Sequence, residues 1–359
     1  MWYTETYKRG VIKMPKPVFY NGDRLLSSVD INGKRPEIYI VESNRTAGKT
    51  TFFAHYLINR FLQKGEKFVC LVRWQNELPD YTNAFFKTVH NLYFDKYDMT
   101  QKIVEKKYAD IYLNDIACGY VVPINSCEYI KKRSQLFCDA TSMFFDEIQT
   151  ETNVYVPDEL KKLNSIHTSI ARAEHKMVRY VPLFMCSNSV SLLNPYYNTL
   201  GITGRLNSQT KFLRGDGWVL ERNFNEYAAK AQQTSAFNRA FAKTSYTDFA
   251  AEGVYLNDNT AFISRPTGRG RYVATIRNNN SDFGLWQYDA DGILYCDHAV
   301  DASYPVRISA SISDHCIDHT LIGGAGILKD RLRNYFVNGS FRFKDLDCKH
   351  AILRCLSYN

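Results

Sequence analysis

No two cysteines in the 359-residue sequence form a C-x-x-C pair, although there are nine cysteines in all. The number is odd and several lie inside apolar runs, so they read as reduced core thiols in a reducing compartment rather than as a disulfide framework. Cys296-Asp-His298 and His315-Cys316-Ile-Asp-His319 do gather nitrogen and sulfur ligands. Their spacing fits no standard zinc module, and ordinary packing is the expectation there. Long hydrophobic runs are also missing. None approaches the roughly 18 apolar residues of a membrane span, and the N-terminal M-W-Y-T-E-T-Y-K-R lacks the apolar centre of a secretory signal. The chain is therefore expected in the cytosol, with no membrane partner. Internal repeats and low-complexity tracts are absent as well, which leaves ordinary globular domains.

Acidic residues are in deficit: 37 Asp and Glu stand against 45 Lys and Arg, a net charge of +8. The imbalance is uneven. Between Arg205 and Asn280 eleven basic residues face six acidic ones, a concentration compatible with a DNA or RNA partner and equally with a solvated basic surface. Core-forming material is plentiful, at 45% hydrophobic and 14% aromatic residues, enough over this length for two domains.

A missing glycine sits at the most informative stretch. Ile38 to Thr51 reads I-Y-I-V-E-S-N-R-T-A-G-K-T-T, and the Walker A pattern G-x-x-x-x-G-K-[ST] calls for Gly where Ser43 stands. The rest of the pattern is there. An apolar, β-branched run of the kind buried on both faces of a parallel sheet leads into the loop. T-T-F-F-A-H-Y-L-I-N-R-F-L follows with helical spacing, so Gly48-Lys49-Thr50 falls at a helix N-terminus, where backbone N–H groups and the helix dipole favour phosphate. The expected cradle is Ser43, Asn44, Arg45, Thr46, Ala47, Gly48, Lys49, Thr50 and Thr51. Lys49 would reach the β/γ-phosphates of ATP and Thr50 would hold Mg²⁺. At Ser43 the loop loses glycine's tolerance for positive φ. Thr141-Ser-Met-Phe-Phe-Asp146-Glu147 has the Walker B form, an apolar strand ending in two carboxylates. Asp146 would hold the Mg²⁺, directly or through water, and Glu147 would polarise the attacking water.

Strands and helices alternate from Ile38 to Asn188, with a hairpin across Asn114-Asp115, which predicts an α/β domain with ligands at the carboxyl ends of a parallel sheet. The irregular lead-in marked by Met14-Pro-Lys-Pro17 is expected to cover the adenine side. Residues 1–200 are assigned to this domain and 201–259 to a partly helical linker, with Thr244 to Asn259 its least structured part. Residues 260–359 form a smaller α+β domain, with a strand pair across the Asp289-Ala-Asp-Gly292 turn and helices over Ile327–Val337 and Lys349–Leu356.

Several of these stretches resemble one family, the DNA-packaging ATPases of small protein-primed tailed phages of the phi-twenty-nine type. The matching text is the Ile38–Thr51 loop, Ile58-Asn-Arg-Phe with Gly65-Glu66, Phe144-Phe-Asp-Glu-Ile, and Cys186-Ser-Asn-Ser-Val-Ser-Leu-Leu-Asn-Pro-Tyr196. It continues with Gly284-Leu-Trp, Gly292-Ile-Leu-Tyr-Cys-Asp297 and Val337-Asn-Gly-Ser-Phe-Arg-Phe343. The resemblance implies an additional-strand P-loop NTPase domain, a helical linker and a ribonuclease-H-like domain without its catalytic metal site. It also implies a homopentameric ring docked on the phage portal, or connector, and a prohead RNA. Such a ring works in the host cytoplasm on the procapsid, translocates double-stranded DNA and is not expected in the mature virion. Arg172 then falls where the family places an arginine finger acting in trans, with Arg133 a second trans candidate, and Asn188 is similar to a γ-phosphate sensor. Arg45 is similar to an arginine of large terminases.

For nucleic acid, Arg73 at a strand end and Arg265, Arg269 and Arg271 in the R-P-T-G-R-G-R loop are the expected contacts. Two other readings stay open from the sequence. One is a large-terminase-like motor with a working nuclease built on Asp289, Asp291, Asp297 and Asp301. The other is a non-hydrolysing nucleic-acid-binding or portal-adaptor protein.

Overall fold

The computed structural model describes residues 19–151, 154–172, 177–191, 194–206, 210–240 and 262–357. The Met14-Pro-Lys-Pro17 lead-in and the Thr244–Asn259 linker lie outside the described residues. After a short helix α1 (Asp23–Leu26), the N-terminal sheet contains β1 (Ile38–Glu42), β2 (Lys67–Val72), β3 (Met99–Val104), β4 (Tyr108–Leu113), β5 (Ile116–Pro123), β6 (Ala140–Phe145), β7 (Leu183–Ser187), β8 (Phe212–Gly215) and β9 (Trp218–Arg222). Their order is β3-β4-β5-β2-β6-β7-β1-β9-β8. From β5 to β9 all pairings are parallel, and antiparallel hairpins close both edges. β7 lies between β1, which leads into the Ser43–Lys49 loop, and β6, which ends just before Asp146, as the inserted strand of the additional-strand class.

Burial on both faces follows from the parallel core. Along β1, Tyr39 and Val41 join one apolar cluster and Ile40 the other. On the first face α2 (Lys49–Lys64) and α3 (Tyr81–Tyr93) contribute Phe53, Leu57, Ile58, Phe85 and Val89. The second face is covered by α4 (Cys127–Lys132) and α5 (Glu159–Ile170), through Ile130, Leu163, Ile166 and Ile170. α2 ends on Gly65, whose φ of 68° gives the left-handed cap that stops it.

The boundary at residue 200 is corrected. After α6 (Pro195–Thr199), β8 and β9 fall inside the expected linker, yet β9 pairs with β1 along its whole length. The sheet therefore runs to Arg222. Helical structure then follows, α7 (Glu226–Thr234) and α8 (Ala236–Ala240).

The C-terminal sheet is built from β10 (Arg271–Asn278), β11 (Ser281–Tyr288), β12 (Ile293–Asp297), β13 (Arg307–Ser309), β14 (Thr320–Leu321) and β15 (Phe341–Phe343), in the order β14-β13-β10-β11-β12-β15. An antiparallel β10-β11-β12 meander with β13 and β14 added in parallel beside β10 is the ribonuclease-H-like arrangement. α9 (Gly326–Val337) and α10 (Leu346–Ser357) pack on it. Leu353 of α10 also belongs to the N-terminal cluster that contains Trp218 and Leu220, so the two domains share apolar core at this point.

Candidate nucleotide site

Three adjacent strands, β1, β7 and β6, deliver their carboxyl ends to one place. From β1 the loop passes through Thr46 (φ 60°) to Gly48 (φ 93°) before α2 begins. Gly48 is required twice over: its φ suits glycine, and a Cβ there would lie 2.9 Å from the Phe19 ring. Ser43 has no positive φ. The loop departs from the pattern without strain at that position, and the Ser43 hydroxyl is used instead to accept from Lys49 Nζ at 2.8 Å.

Lys49 is buried. Its ammonium also donates to the Asn44 carbonyl at 3.2 Å and to Asn188 Oδ1 at 3.0 Å. Burial pushes its pKa down, with Asp146 and Glu42 among the charges acting against that shift. Thr50 Oγ1 donates to Asp146 Oδ2 at 2.7 Å, and the Glu147 amide donates to Asp146 Oδ1. Desolvation pushes the Asp146 carboxyl up, while the Thr50 hydrogen bond opposes it. A hydroxyl and a carboxylate side by side are the hard oxygen donors that a small divalent cation takes from protein, leaving its other positions to water and phosphate. Glu147 is exposed, with a φ of 52° that bulky residues seldom adopt, a backbone state typical of functional sites.

Arg73 was expected to face DNA, and the structure corrects this. It is 7% exposed and pairs with Glu159 at 3.2 Å. Its guanidinium donates to the carbonyls of Glu147 (2.8 Å) and Ile148 (2.5 Å) and stacks on Phe145 and Tyr155. Arg73 therefore braces the loop that carries Glu147.

Other residues around the loop were not singled out from the sequence. Glu42, buried at the end of β1, accepts from Tyr197, Ser189 and Arg222. Asn44 exchanges two hydrogen bonds with Asn225, which also caps α7. Gln149 Oε1 accepts from the amides of Val190 and Ser191, tying the loops after β6 and β7 together. Only Asn225, an asparagine ahead of a helical stretch, carried a local signal. Arg45 pairs with Glu151.

The structure thus brings together Lys49, Thr50, Asp146, Glu147 and Asn188. Arg172 is exposed just beyond α5. Arg133 is engaged at the far edge of the sheet, 4.0 Å over Tyr129 and 4.0 Å from Glu105 in the β3–β4 turn. In the second domain Arg269 and Arg271 are exposed. Arg265 is stacked on Trp286 at 4.0 Å and lies 3.5 Å from Asp297. The acidic residues of the nuclease reading have separate surroundings: Asp289 accepts from Gln287, Asp291 is exposed in the turn, Asp297 faces Arg265 and Asp301 caps Ser303.

Among known proteins, the chain is 24% identical to the DNA packaging protein of Bacillus phage phi29 over 349 residues, 96% of this chain and 97% of that one. It is 21% identical to the DNA packaging protein of Bacillus phage B103 over 324 residues, 88% and 93% of the two chains. The solved structure of the bacteriophage Phi-29 viral genome packaging motor assembly is similar in fold, with a TM-score of 0.51 at 21% identity, covering 95% of this chain and 98% of that one. The Phi-28 gp11 DNA packaging motor gives 0.52 at 16% identity, again covering 95% and 98%. The model of the podovirus DNA encapsidation protein (Gp16) family matches residues 14–356, and the chain belongs to that family.

Proposed function

We propose that this packaging protein binds ATP at the β1–α2 loop, hydrolyses it, and uses the cycle to draw double-stranded DNA into a procapsid as one subunit of a portal-docked, pentameric ring that also engages a prohead RNA. The observation that carries the reading is the convergence of the Lys49 ammonium, the Thr50–Asp146 oxygen pair and Glu147 at the ends of β1 and β6, with Asn188 from the strand between them. Lys49 exchanges its loop carbonyls for β/γ-phosphate oxygens. Thr50 and Asp146 would hold Mg²⁺, which would supply charge neutralisation at the phosphates. Glu147 orients the attacking water and takes its proton. Asn188, already bonded to Lys49, senses the γ-phosphate. Arg172, exposed at the end of α5, enters the neighbouring subunit's site, where a planar guanidinium stabilises the transferring phosphoryl group. Arg133 is the less favoured trans residue because it already packs on Tyr129. Arg269 and Arg271 contact phosphate backbone without reading base sequence.

Steady-state ATP hydrolysis with and without duplex DNA, on wild type, Glu147→Gln, Arg172→Ala and a mixture of the two variants, tests this. DNA-stimulated turnover that is lost in each variant and partly restored on mixing supports sites shared between subunits. No turnover by wild type with DNA and portal both present overturns the hydrolase reading in favour of an adaptor.

A further inference from the structure

Where β12 ends and α10 begins, the C-terminal domain gathers a second set of ligand-bearing side chains. His298 Nε2 lies 2.6 Å from Asp345 Oδ2 and 3.8 Å from Cys348 Sγ, and the three ligand atoms all fall within 4.8 Å of one another. Cys348 is buried, whereas the side chains of His298 and Asp345 are 44% and 41% exposed. Backbone geometry holds the set in place. Asp345 Oδ1 accepts from the Cys348 amide in the first turn of α10, which leaves Oδ2 directed at His298. Cys296, buried like Cys348, lies two residues before His298.

We propose that His298, Asp345 and Cys348 bind a zinc-class divalent cation, with solvent in the fourth position. An exposed His–Asp pair explains two members of the cluster but not the thiol beside them. Spacing fits a metal. Tetrahedral donors at zinc's bond lengths of about 2.0 to 2.3 Å stand roughly 3.4 to 3.6 Å apart, close to the 3.8 Å between His298 and Cys348. The shorter His298–Asp345 contact opens by somewhat under an ångström as the cation replaces the shared proton. Donor chemistry selects the ion: thiolate with imidazole favours zinc and its neighbours over Mg²⁺ or Ca²⁺. On binding, Cys348 releases its thiol proton to solvent, and the neutral His298 imidazole carries its one proton on Nδ1, because Nε2 has become the ligand atom. The cation then ties β12 to α10, segments that the sequence separates by nearly fifty residues.

The test uses the full chain, purified under reducing conditions, stripped with a chelator and titrated with Zn²⁺ or Co²⁺. Expected are an equimolar amount of retained Zn²⁺ and, with Co²⁺, a thiolate-to-cobalt charge-transfer band. His298→Ala and Cys348→Ser lose both, and Cys138→Ser, outside either ligand-bearing cluster, changes neither. Zn²⁺ retained equally by His298→Ala, or a cobalt complex without the charge-transfer band, overturns the proposal. His298 is half exposed, so its variant remains decisive if Cys348→Ser does not fold.

Discussion

Lys49 Nζ is held by a hydroxyl, two carbonyls and the Asn188 amide oxygen, so a nucleotide has to compete for it. Replacing Lys49 with Ala removes the only side-chain cation among these contacts. Turnover should fall by about 10²–10³, the range for one preorganised donor to a developing charge, in a steady-state assay. Glu147→Gln is expected to lower turnover by about 10²–10⁴ while equilibrium binding of a nucleotide analogue stays near wild type, because the Glu147 side chain is exposed just beyond the end of β6. Arg73 behaves differently. Its removal leaves Glu159 buried without its cation, and Arg73→Ala should cost about 3–5 kcal/mol in urea unfolding. A variant with intact stability and weakened DNA binding would restore the surface role first expected of it. The strand, tight loop and helix start around Lys49 and Thr50 were legible because each is a local pattern. The role of Arg73 was not, since its partners Glu159, Phe145 and Tyr155 lie far along the chain and nothing near Arg73 signals burial.

At the level of elements, the hairpin across Asn114-Asp115 formed as expected, with both turn residues at positive φ. The β11–β12 turn and both C-terminal helices also stand where their local patterns put them. β9 was read as linker instead. Its five residues sit among polar neighbours, and pairing with β1 on one side and β8 on the other makes four of them core. A fragment ending at residue 200 therefore leaves β1 as a bare apolar edge. It is expected to aggregate, while one ending at residue 240 is expected to stay monodisperse, as size-exclusion chromatography with light scattering would show. The loop leading into β10 supplies a separate expectation. Arg269→Ala and Arg271→Ala should weaken DNA binding uniformly across sequences and each reduce the salt slope by about 1, measured as affinity against salt concentration.

For the whole molecule, acid stability depends partly on His319, which is 4% exposed. Burial holds its pKa below 6.5, with Arg277 and Arg307 adding to the shift and Asp282 opposing it. The unfolded chain then takes up a proton at a higher pH than the fold does. Stability is full above pH 6.5 and declines as the pH falls below it. Thermal melts across that range should show a shallower acid limb for His319→Asn than for wild type.

Leu353 carries a mechanical consequence. Because it belongs to the apolar cluster that contains Trp218 and Leu220, a pull on the C-terminal domain is resisted by apolar surface that would have to meet water. β9 is laid against β1 along its full length. Load applied through α10 is therefore expected to arrive at the strand that leads directly into Ser43 and Lys49.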